Sequence, residues 1–574
     1  MPLYTCLGKG FMNRISGLAF LAGLIMLFAV NGLAFADEIA YKESGSFLKI
    51  EEAFHEGRIS NAEKIVLNAR AVLAPESLPE SLLDETGAPA KSGTHYILEV
   101  IENWDQLSSS QQSLLTQLMA RPPHDTTYIS PDSHFAIHYD TVGTEAVPPE
   151  DLNANNIPDY VERVGAYADS AFRAYDNLGY LPAPSDGDQY YDIYLLSIGA
   201  YGVTIPENPG DSAWNDYKSY MQMHCSFIKN PPFPENDDPE GDVIGAQKVT
   251  AAHEYFHAIQ MAYNVFQDRW WMECTAVLFE EILYPEVNDN YQYLPYFFNY
   301  PKDRLNEEDT WHKFGSFVWA YFLSNNFGIE LLTDIFEYGR YYSSLVATDS
   351  ALAQFGEKVE SVFPDFTLWN YFTDARAGLA DSYPDAAVYP PVKDTHIAGL
   401  PYSGFLSVEH PDGLASNYLI MYPDPTDDGY VRFFFSGNTT SKWNFTYLTF
   451  SEGEMEIIKP TMGYQNAKAQ FGFYDIALLD SIVMIPCVVS RFLDDNNYNI
   501  TSDLVIWGDV DTSDVVNILD IVYLIDYKFQ NGPPPPYEER IADFNCDSAM
   551  NILDIIFLIE FKFMDGPAPG PCRD

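Results

Sequence analysis

The run His-Glu-Tyr-Phe-His at residues 253–257 constrains this chain more than any other feature. Residues 249–263 contain no Gly or Pro and repeat apolar side chains at helical spacing, which predicts a buried helix. On such a helix His253 and His257 lie four residues apart and share one face, with Glu254 beside them. The alternative is a pair of core histidines satisfied by hydrogen bonds alone. Because two neutral imidazoles and a carboxylate are costly to bury without partners, the pattern favours a zinc site.

A third protein ligand is expected, since catalytic zinc takes three protein ligands and keeps one position open. Glu273 is the candidate, on a second predicted helix over residues 270–281. His-Glu-x-x-His followed by Trp-x-x-Glu-x-x-Ala resembles the gluzincin branch of zinc metallopeptidases, over about residues 130–390. The resemblance is nearest to secreted bacterial metalloproteases that also carry dockerin repeats. It implies three zinc ligands and a general base. These residues are the ligands His253, His257 and Glu273, and the base Glu254.

The residue after the third ligand departs from that resemblance, because many relatives have Gly there and this chain has Cys274. Cys274 is either a disulfide partner or a fourth, soft ligand that would close the site. A peptidase also needs a neutral donor for the oxyanion of the tetrahedral intermediate. The candidates for this donor are Tyr263, His312 and Tyr321.

An internal repeat lies near the C-terminus, where residues 509–520 recur as 543–554. Each copy has oxygen-bearing side chains at loop positions 1, 3, 5, 9 and 12, as a calcium loop requires. The doubled loop, each copy followed by a predicted helix, resembles a type I dockerin module over residues 506–574. That resemblance implies two EF-hand-like calcium sites and a cohesin-like partner domain. The predicted calcium ligands are Asp509, Asp511, Ser513, Asn517 and Asp520 in the first copy, and Asp543, Asn545, Asp547, Asn551 and Asp554 in the second.

Two details of the repeat bear on binding. Loop position 6 is usually Gly, and here it is Asp514 in one copy and Ser548 in the other. Positions 10 and 11 are Ile-Leu in both copies, at 518–519 and 552–553. These apolar pairs either dock on an apolar partner face or fill the core of the small module.

A third segment, residues 151–162, also fits the twelve-residue calcium spacing and precedes a predicted helix. The alternative is an Asn-rich polar turn. The predicted ligands of this loop are Asp151, Asn153, Asn155, Asp159 and Glu162.

The N-terminus predicts export. Residues 1–36 combine basic side chains, a long apolar run and Ala34-Phe35-Ala36 as a cleavage site, which indicates a signal peptide rather than a membrane anchor. Residues 37–125 have the pattern of short helices, which form either a pro-segment or a support for the peptidase domain. We therefore expect a secreted, extracellular or surface-attached protein, with no membrane contact after cleavage.

The mature chain would keep five cysteines, and an exported protein can form disulfides. Spacing does not fix their connectivity. We pair Cys546 with Cys572 and Cys225 with Cys274, which leaves Cys487 unpaired.

Charge excludes one class of partner. The chain has 83 Asp plus Glu against 31 Lys plus Arg, a formal net charge of -52. Phosphate would be repelled, so nucleic acid is not expected to bind.

These features predict a multidomain protein of mixed α/β class. The predicted parts are a zincin-like α+β metallopeptidase domain at 126–395, a β-sandwich at 396–505 and a small α-helical dockerin at 506–574. The expected function is a zinc-dependent endopeptidase that hydrolyses extracellular proteins or peptides. The alternatives are a non-catalytic, calcium-dependent scaffold component of an extracellular, polysaccharide-degrading type of assembly, and a zinc hydrolase acting on a non-peptide bond.

Overall fold

The computed structural model describes residues 45–84, 89–228, 233–308, 311–397, 403–404, 410–424, 430–463, 467–473, 476–513, 515–535 and 542–570. The predicted signal peptide lies outside these residues. In the part of the chain that is described, no helix has the length and apolar character needed to cross a membrane.

The described residues before 126 form helices and one short strand. Ser60 and Ser108 cap the second and fourth of these helices through reciprocal capping boxes with Glu63 and Gln111. Their apolar faces share a core with side chains of the central sheet, among them Val203. This region is therefore packed on the sheet that carries the predicted site. Its elements are α1 (Gly45–His55), α2 (Asn61–Leu73), β1 (Ala90–Ser92), α3 (Thr94–Glu102) and α4 (Ser109–Leu118).

The central sheet has six strands in the order β1-β5-β6-β4-β3-β2. Strands β3, β4 and β6 are parallel to one another, β5 is antiparallel to β6, and β1 joins the outer edge of β5 in parallel. The residue patterns at 134–139 and 190–197 predict strands, and the structure forms strands there, β3 and β4. The further strands are β2 (Thr126–Ile129), β3 (Phe135–Tyr139), β4 (Tyr191–Leu196), β5 (Ala200–Pro209) and β6 (Tyr217–His224).

A set of α-helices follows or flanks this sheet and shares its main core. Helix α6 packs on β5, β6, α5 and α7, and every residue from Gly245 to Met261 is buried. Polar side chains on a helix that is buried on all sides need hydrogen-bond or metal partners inside the protein. The polar side chains of α6 are therefore candidates for a functional site. The helices are α5 (Asp159–Asn177), α6 (Asp242–Met261), α7 (Arg269–Leu283), α8 (Leu294–Phe298), α9 (His312–Gly315), α10 (Phe317–Phe327), α11 (Glu330–Gly339), α12 (Ser344–Leu352) and α13 (Val359–Tyr371).

Two further sheets come next along the chain and share a core rich in aromatic side chains. One has the order β13-β12-β15-β10-β7 with β9 beside β15, and the other has the order β14-β11-β16-β8. Their strands are β7 (Thr395–Ile397), β8 (Ser403–Gly404), β9 (Ala415–Ser416), β10 (Leu419–Met421), β11 (Tyr430–Gly437), β12 (Trp443–Ser451), β13 (Glu454–Ile458), β14 (Lys468–Phe473), β15 (Ser481–Val488) and β16 (Tyr498–Val505).

The C-terminal region contains helices α14 (Ile518–Gln530) and α15 (Ile552–Phe563), one after each repeated loop. Asn517 and Asn551 cap them through matching capping boxes with Asp520 and Asp554. A separate small core joins the two halves, with Leu524 and other apolar side chains. The chain is therefore multidomain and mixed α/β, with several sheets and a helical C-terminal module.

Candidate metal centre

Helices α6 and α7 bring the three predicted zinc ligands together. His253 Nε2 lies 3.1 Å from Glu273 Oε2 and 3.0 Å from His257 Nε2. The third side of the triangle, from His257 Nε2 to Glu273 Oε2, is 3.5 Å. All three side chains are at most 1 % exposed. The three residues form a group that could hold a metal ion.

The size of this triangle fits zinc. Tetrahedral coordination at about 2.0–2.1 Å from each ligand places neighbouring ligand atoms about 3.3–3.4 Å apart. The three observed separations bracket that value. The donor set of two imidazole nitrogens and one carboxylate oxygen is also one that catalytic zinc uses.

The other ring nitrogens of the histidines are engaged by residues that the sequence did not single out. His253 Nδ1 lies 2.7 Å from Glu280 Oε1, and His257 Nδ1 lies 2.7 Å from Gln260 Oε1. Such contacts fix ring orientation and leave Nε2 of each ring directed at the cluster. Glu280 follows Glu273 by seven residues, two helical turns, so helical periodicity on α7 could have identified it.

Lys91 on β1 is a buried cation next to Glu280, the residue that contacts His253. Its ammonium bonds Glu280 and Asp289, and all three side chains are at most 1 % exposed. Burial acts to lower the pKa of Lys91, but the attraction of the two carboxylates holds it above its ordinary value. Glu280 therefore lies between a buried cation and His253.

The electrostatics of the cluster favour a cation. Burial lowers the pKa of His253, but its hydrogen bonds to Glu273 and Glu280 outweigh burial and raise the pKa to about 10. Burial likewise acts to raise the pKa of Glu273, but His257, His253 and His95 hold it well below its usual range. The carboxylates therefore draw positive charge to this point.

Glu254, the predicted general base, lies beside the cluster and is fully buried. Ser92 donates to its Oε1 at 3.0 Å, and Thr94 donates to its Oε2 at 2.8 Å. The hydroxyl of Thr204 on β5 lies 2.9 Å from the same Oε2. Neither Ser92 nor Thr94 is near the motif in sequence, so pattern reading missed both.

Position 202 of β5 must be glycine, because Glu254 lies too close to leave room for a side chain there. A Cβ at this position would lie 2.5 Å from Glu254 Cγ, closer than two carbons can approach. The strand therefore runs directly against the predicted base.

His95 on α3 is a further residue that the sequence analysis missed. Its Nδ1 lies 3.2 Å from Glu273 Oε1, and its Nε2 has no hydrogen-bond partner among the described residues. Burial and the charge of Lys313 lower its pKa to about 3, so the ring is neutral. His95 also lines a cavity of about 410 Å³ together with Arg269 and Lys313. The ring of His95 thus borders this cavity and also contacts Glu273.

The three oxyanion candidates have other contacts in the structure. The Tyr263 hydroxyl accepts a hydrogen bond from the Leu181 amide, and His312 Nδ1 lies 3.2 Å from the Tyr296 carbonyl oxygen. The ring of Tyr321 stacks on another tyrosine of the helical core. The described contacts do not bring these residues to the metal centre, so their predicted role gains no support.

The predicted pairing of Cys225 with Cys274 is wrong, since both are free and buried. Cys274 donates its thiol hydrogen to the Ser316 carbonyl oxygen. This contact also argues against Cys274 as a fourth ligand. Cys487 is free, and Cys546 is disulfide-bonded. Its predicted partner, Cys572, lies outside the described residues.

The C-terminal repeat folds as two equivalent loops. In the first, Asp509, Asp511 and Asp520 bring carboxylate oxygens within 4.8 Å of one another. Asp520 Oδ1 accepts from the amides of Val510 and Asp511, and Asp554 Oδ1 accepts from the corresponding amides of the second loop. The remaining predicted ligands, Ser513, Asn517, Asp543, Asn545, Asp547 and Asn551, take part in the turns of the same loops.

Loop position 6 of the second copy takes the conformation that Gly usually supplies. Ser548 has φ 67°, in the left-handed region, and its amide donates to Asp543. The corresponding Asp514 lies outside the described residues. Serine at this position therefore keeps the turn that the loop needs.

The loop at 151–162 also closes on itself. The side-chain amides of Asn153 and Asn155 donate to the two oxygens of Glu162, each at 2.7 Å, and Asp159 accepts from the Leu152 amide. The Asp151 carboxylate accepts from two amides within the loop. Among the described residues, the acidic side chains of this loop do not form a group of three converging carboxylates. Calcium at this loop therefore stays a prediction.

Comparison with known proteins identifies one region. The family model for the dockerin type I domain matches residues 507–561. No curated protein is significantly similar to the chain. The C-terminal module, with its paired loops and helices, is therefore a dockerin type I domain.

Proposed function

We propose that this protein is a secreted, zinc-dependent endopeptidase that acts on extracellular proteins or peptides. The catalytic unit would be a zincin-like domain at 126–395, followed by a β-sandwich at 396–505. The observation that carries the proposal is the triangle of His253, His257 and Glu273 with a carboxylate, Glu254, beside it.

Zinc held by these ligands would supply Lewis-acid activation of a water molecule and of the scissile carbonyl. Glu254 would accept the proton of the attacking water and return it to the leaving amine. Thr204, on β5, would hold the Glu254 carboxylate in position through Oε2. Glu280 and Gln260 would keep the two imidazoles oriented and metal-binding.

The dockerin domain would attach this catalytic unit to a cohesin partner in a calcium-dependent manner. Exposed apolar pairs support such docking, because Ile518, Leu519, Ile552 and Leu553 are each more than half exposed. Their exposure argues against the alternative that they fill the core of the module. A dockerin and an acidic surface both agree with an extracellular location.

A comparison of the intact chain with its Glu254→Gln variant tests the enzyme proposal. We expect zinc-loaded protein to cleave a mixed peptide library, and the variant to keep zinc and lose about 10²- to 10⁴-fold in rate, the share that general base catalysis supplies. Both proteins are assayed before and after limited proteolysis of the N-terminal region. Glu330→Gln, at an exposed position of α11, is the matched control and should retain full activity. Equal cleavage by wild type and Glu254→Gln would contradict the assignment.

The second candidate function is a non-catalytic, calcium-dependent scaffold component. The deep burial of the metal centre favours it, since a site whose three candidate ligands are at most 1 % exposed resembles a structural one. In that case Glu254→Gln would change neither library cleavage nor cohesin binding.

A further inference from the structure

The outer edge of β5 is covered by a short strand of the chain itself. In β1, Ala90 pairs with Ala200 and Ser92 pairs with Gly202. The Ala90 amide donates to the Gly199 carbonyl, and the Gly93 amide donates to the Gly202 carbonyl at 2.8 Å. Backbone pairing at a sheet edge accepts any extended polypeptide, because it does not depend on side chains.

This pairing is centred on the catalytic base. Gly202, the partner of Ser92, is the residue that runs directly against Glu254. Any strand paired at this register is therefore laid beside the base and the metal ligands.

The Ser92 hydroxyl occupies the space in which a water molecule would react. Its Oγ lies 3.0 Å from Glu254 Oε1 and 3.5 Å from His257 Nε2. For Glu254 to deprotonate it, the water must lie in the open coordination position, about 3.3–3.4 Å from the ligand atoms, and within hydrogen-bond reach of the base carboxylate. Ser92 holds that place.

The neighbours of Ser92 engage the rest of the centre. Lys91 bonds Glu280, Thr94 bonds the second oxygen of Glu254, and His95 contacts Glu273. Residues 91–95 thus contact the predicted base Glu254, the predicted ligand Glu273 and the carboxylate of Glu280, which orients His253. The result is a centre at most 1 % exposed.

We propose that residues 91–95 are an internal plug, which occupies the edge of β5 from Gly199 to Gly202 and keeps the enzyme latent. This inference rests on the proposed peptidase function. Release of the plug would free the edge, both oxygens of Glu254 and the water position together.

The placement of Ser92 can be tested without any activity assay. In Ser92→Cys protein loaded with Co²⁺, the new thiolate would join the metal and give a sulfur-to-cobalt charge-transfer absorption. Ser46→Cys, a buried serine on α1 of the same region, should bind cobalt without that band. Bound cobalt with no charge-transfer band in Ser92→Cys would overturn the placement. Failure of cobalt to bind either variant would overturn the metal centre itself, and with it this inference.

Latency is tested in the full chain with a site-specific protease sequence inserted between α4 and β2. After cutting, we expect peptide hydrolysis and the rate of zinc loss to a chelator both to rise about tenfold or more, because the open population sets both rates. Ser92→Leu, too large for the space between Glu254 and His257, should produce the same change without a cut.

The outcomes separate the two proposals. Hydrolysis that is already full in the intact chain and unchanged by the cut or by Ser92→Leu would overturn the plug and leave the peptidase standing. Faster zinc loss without hydrolysis would support the plug and reject the peptidase. No change in either rate would overturn the plug.

Discussion

The metal-type clusters of this protein are built in two different ways. The first dockerin loop assembles Asp509, Asp511 and Asp520 from twelve consecutive residues, held by amides of the same loop. The cluster on α6 and α7 takes its candidate ligands from two helices. It takes its supporting groups from β1, α3 and β5, more than 150 residues away from Glu254 in the case of Ser92 and Thr94.

The two kinds of site leave different patterns in the sequence. A site confined to one loop leaves a compact pattern, and the family model matches it. A site that depends on distant strands leaves only a short helical motif in the sequence. Variants that disturb the distant support should therefore affect the helical cluster strongly and the dockerin loops hardly at all.

Among the variants that disturb the distant support, Lys91→Met should have the largest effect on stability. It leaves Glu280 and Asp289 as buried charges without their cation, which typically lowers the free energy of unfolding by about 3–5 kcal/mol. Chemical denaturation measures the change. Lys64→Met, which breaks a partly exposed pair with Glu51, is the control and should cost less than about 1 kcal/mol. Equal losses in both variants would remove the distinction between distant and local support.

Glu281→Gln should produce a pH-dependent gain in stability. Burial raises the pKa of Glu281 to about 7, above the ordinary 4.5, although a hydrogen bond from Asn290 opposes this. Because the folded state prefers the protonated acid, stability falls as pH rises from 4.5 to 7, and the cost is complete above 7. At about 1.4 kcal/mol per pKa unit, the variant should exceed wild type by up to about 3 kcal/mol at about pH 8 and match it near about pH 4. Thermal unfolding across this range tests it, and a gain that does not vary with pH would contradict it.

Glu280→Gln should weaken zinc binding by about 10- to 100-fold, because Glu280 orients His253 and increases its basicity. Competition with a chelator of known affinity measures the change. Glu281→Gln serves as the matched control, since Glu281 is the next residue of α7 and bonds Asn290 instead of a ligand. If both variants bound zinc like wild type, the contact with His253 would have no role in metal affinity.

Asp520→Ala should show the smallest effect outside its own loop. Its carboxylate accepts from three amides of the first loop, so calcium binding by that loop should be lost, as measured by calorimetry. Zinc affinity and the unfolding of the central sheet should change by less than about 0.5 kcal/mol, because the two sites share no partners among the residues that the structure describes. Asp554→Ala is the matched change in the second loop. A large shift in the unfolding of the sheet would show that the two regions are coupled.

Helical and strand periodicity accounted for much of the fold. The ligand helices, strands β3 and β4, and the loop-helix pairs of the dockerin were all predicted, because each depends on contacts between near neighbours in sequence. The pairing of Cys225 with Cys274 failed because spacing says nothing of which faces of two elements meet, and Cys274 is turned towards Ser316. Glu280 was within reach of helical spacing, whereas Lys91, Ser92, Thr94 and His95 were not.

The sequence by itself determined the types of the candidate ligands and their local geometry: two imidazoles one turn apart on α6, a carboxylate on α7 and two oxygen-rich loops at the C-terminus. Local spacing is sufficient for this, because helix and loop geometry fix the relative positions of residues within about a dozen positions. Only the tertiary structure decided that β1 lies on the edge of β5, with Ser92 against Glu254 and Lys91 against Glu280. Strand pairing across more than a hundred residues depends on how complete surfaces pack together, and no local pattern in the chain records it.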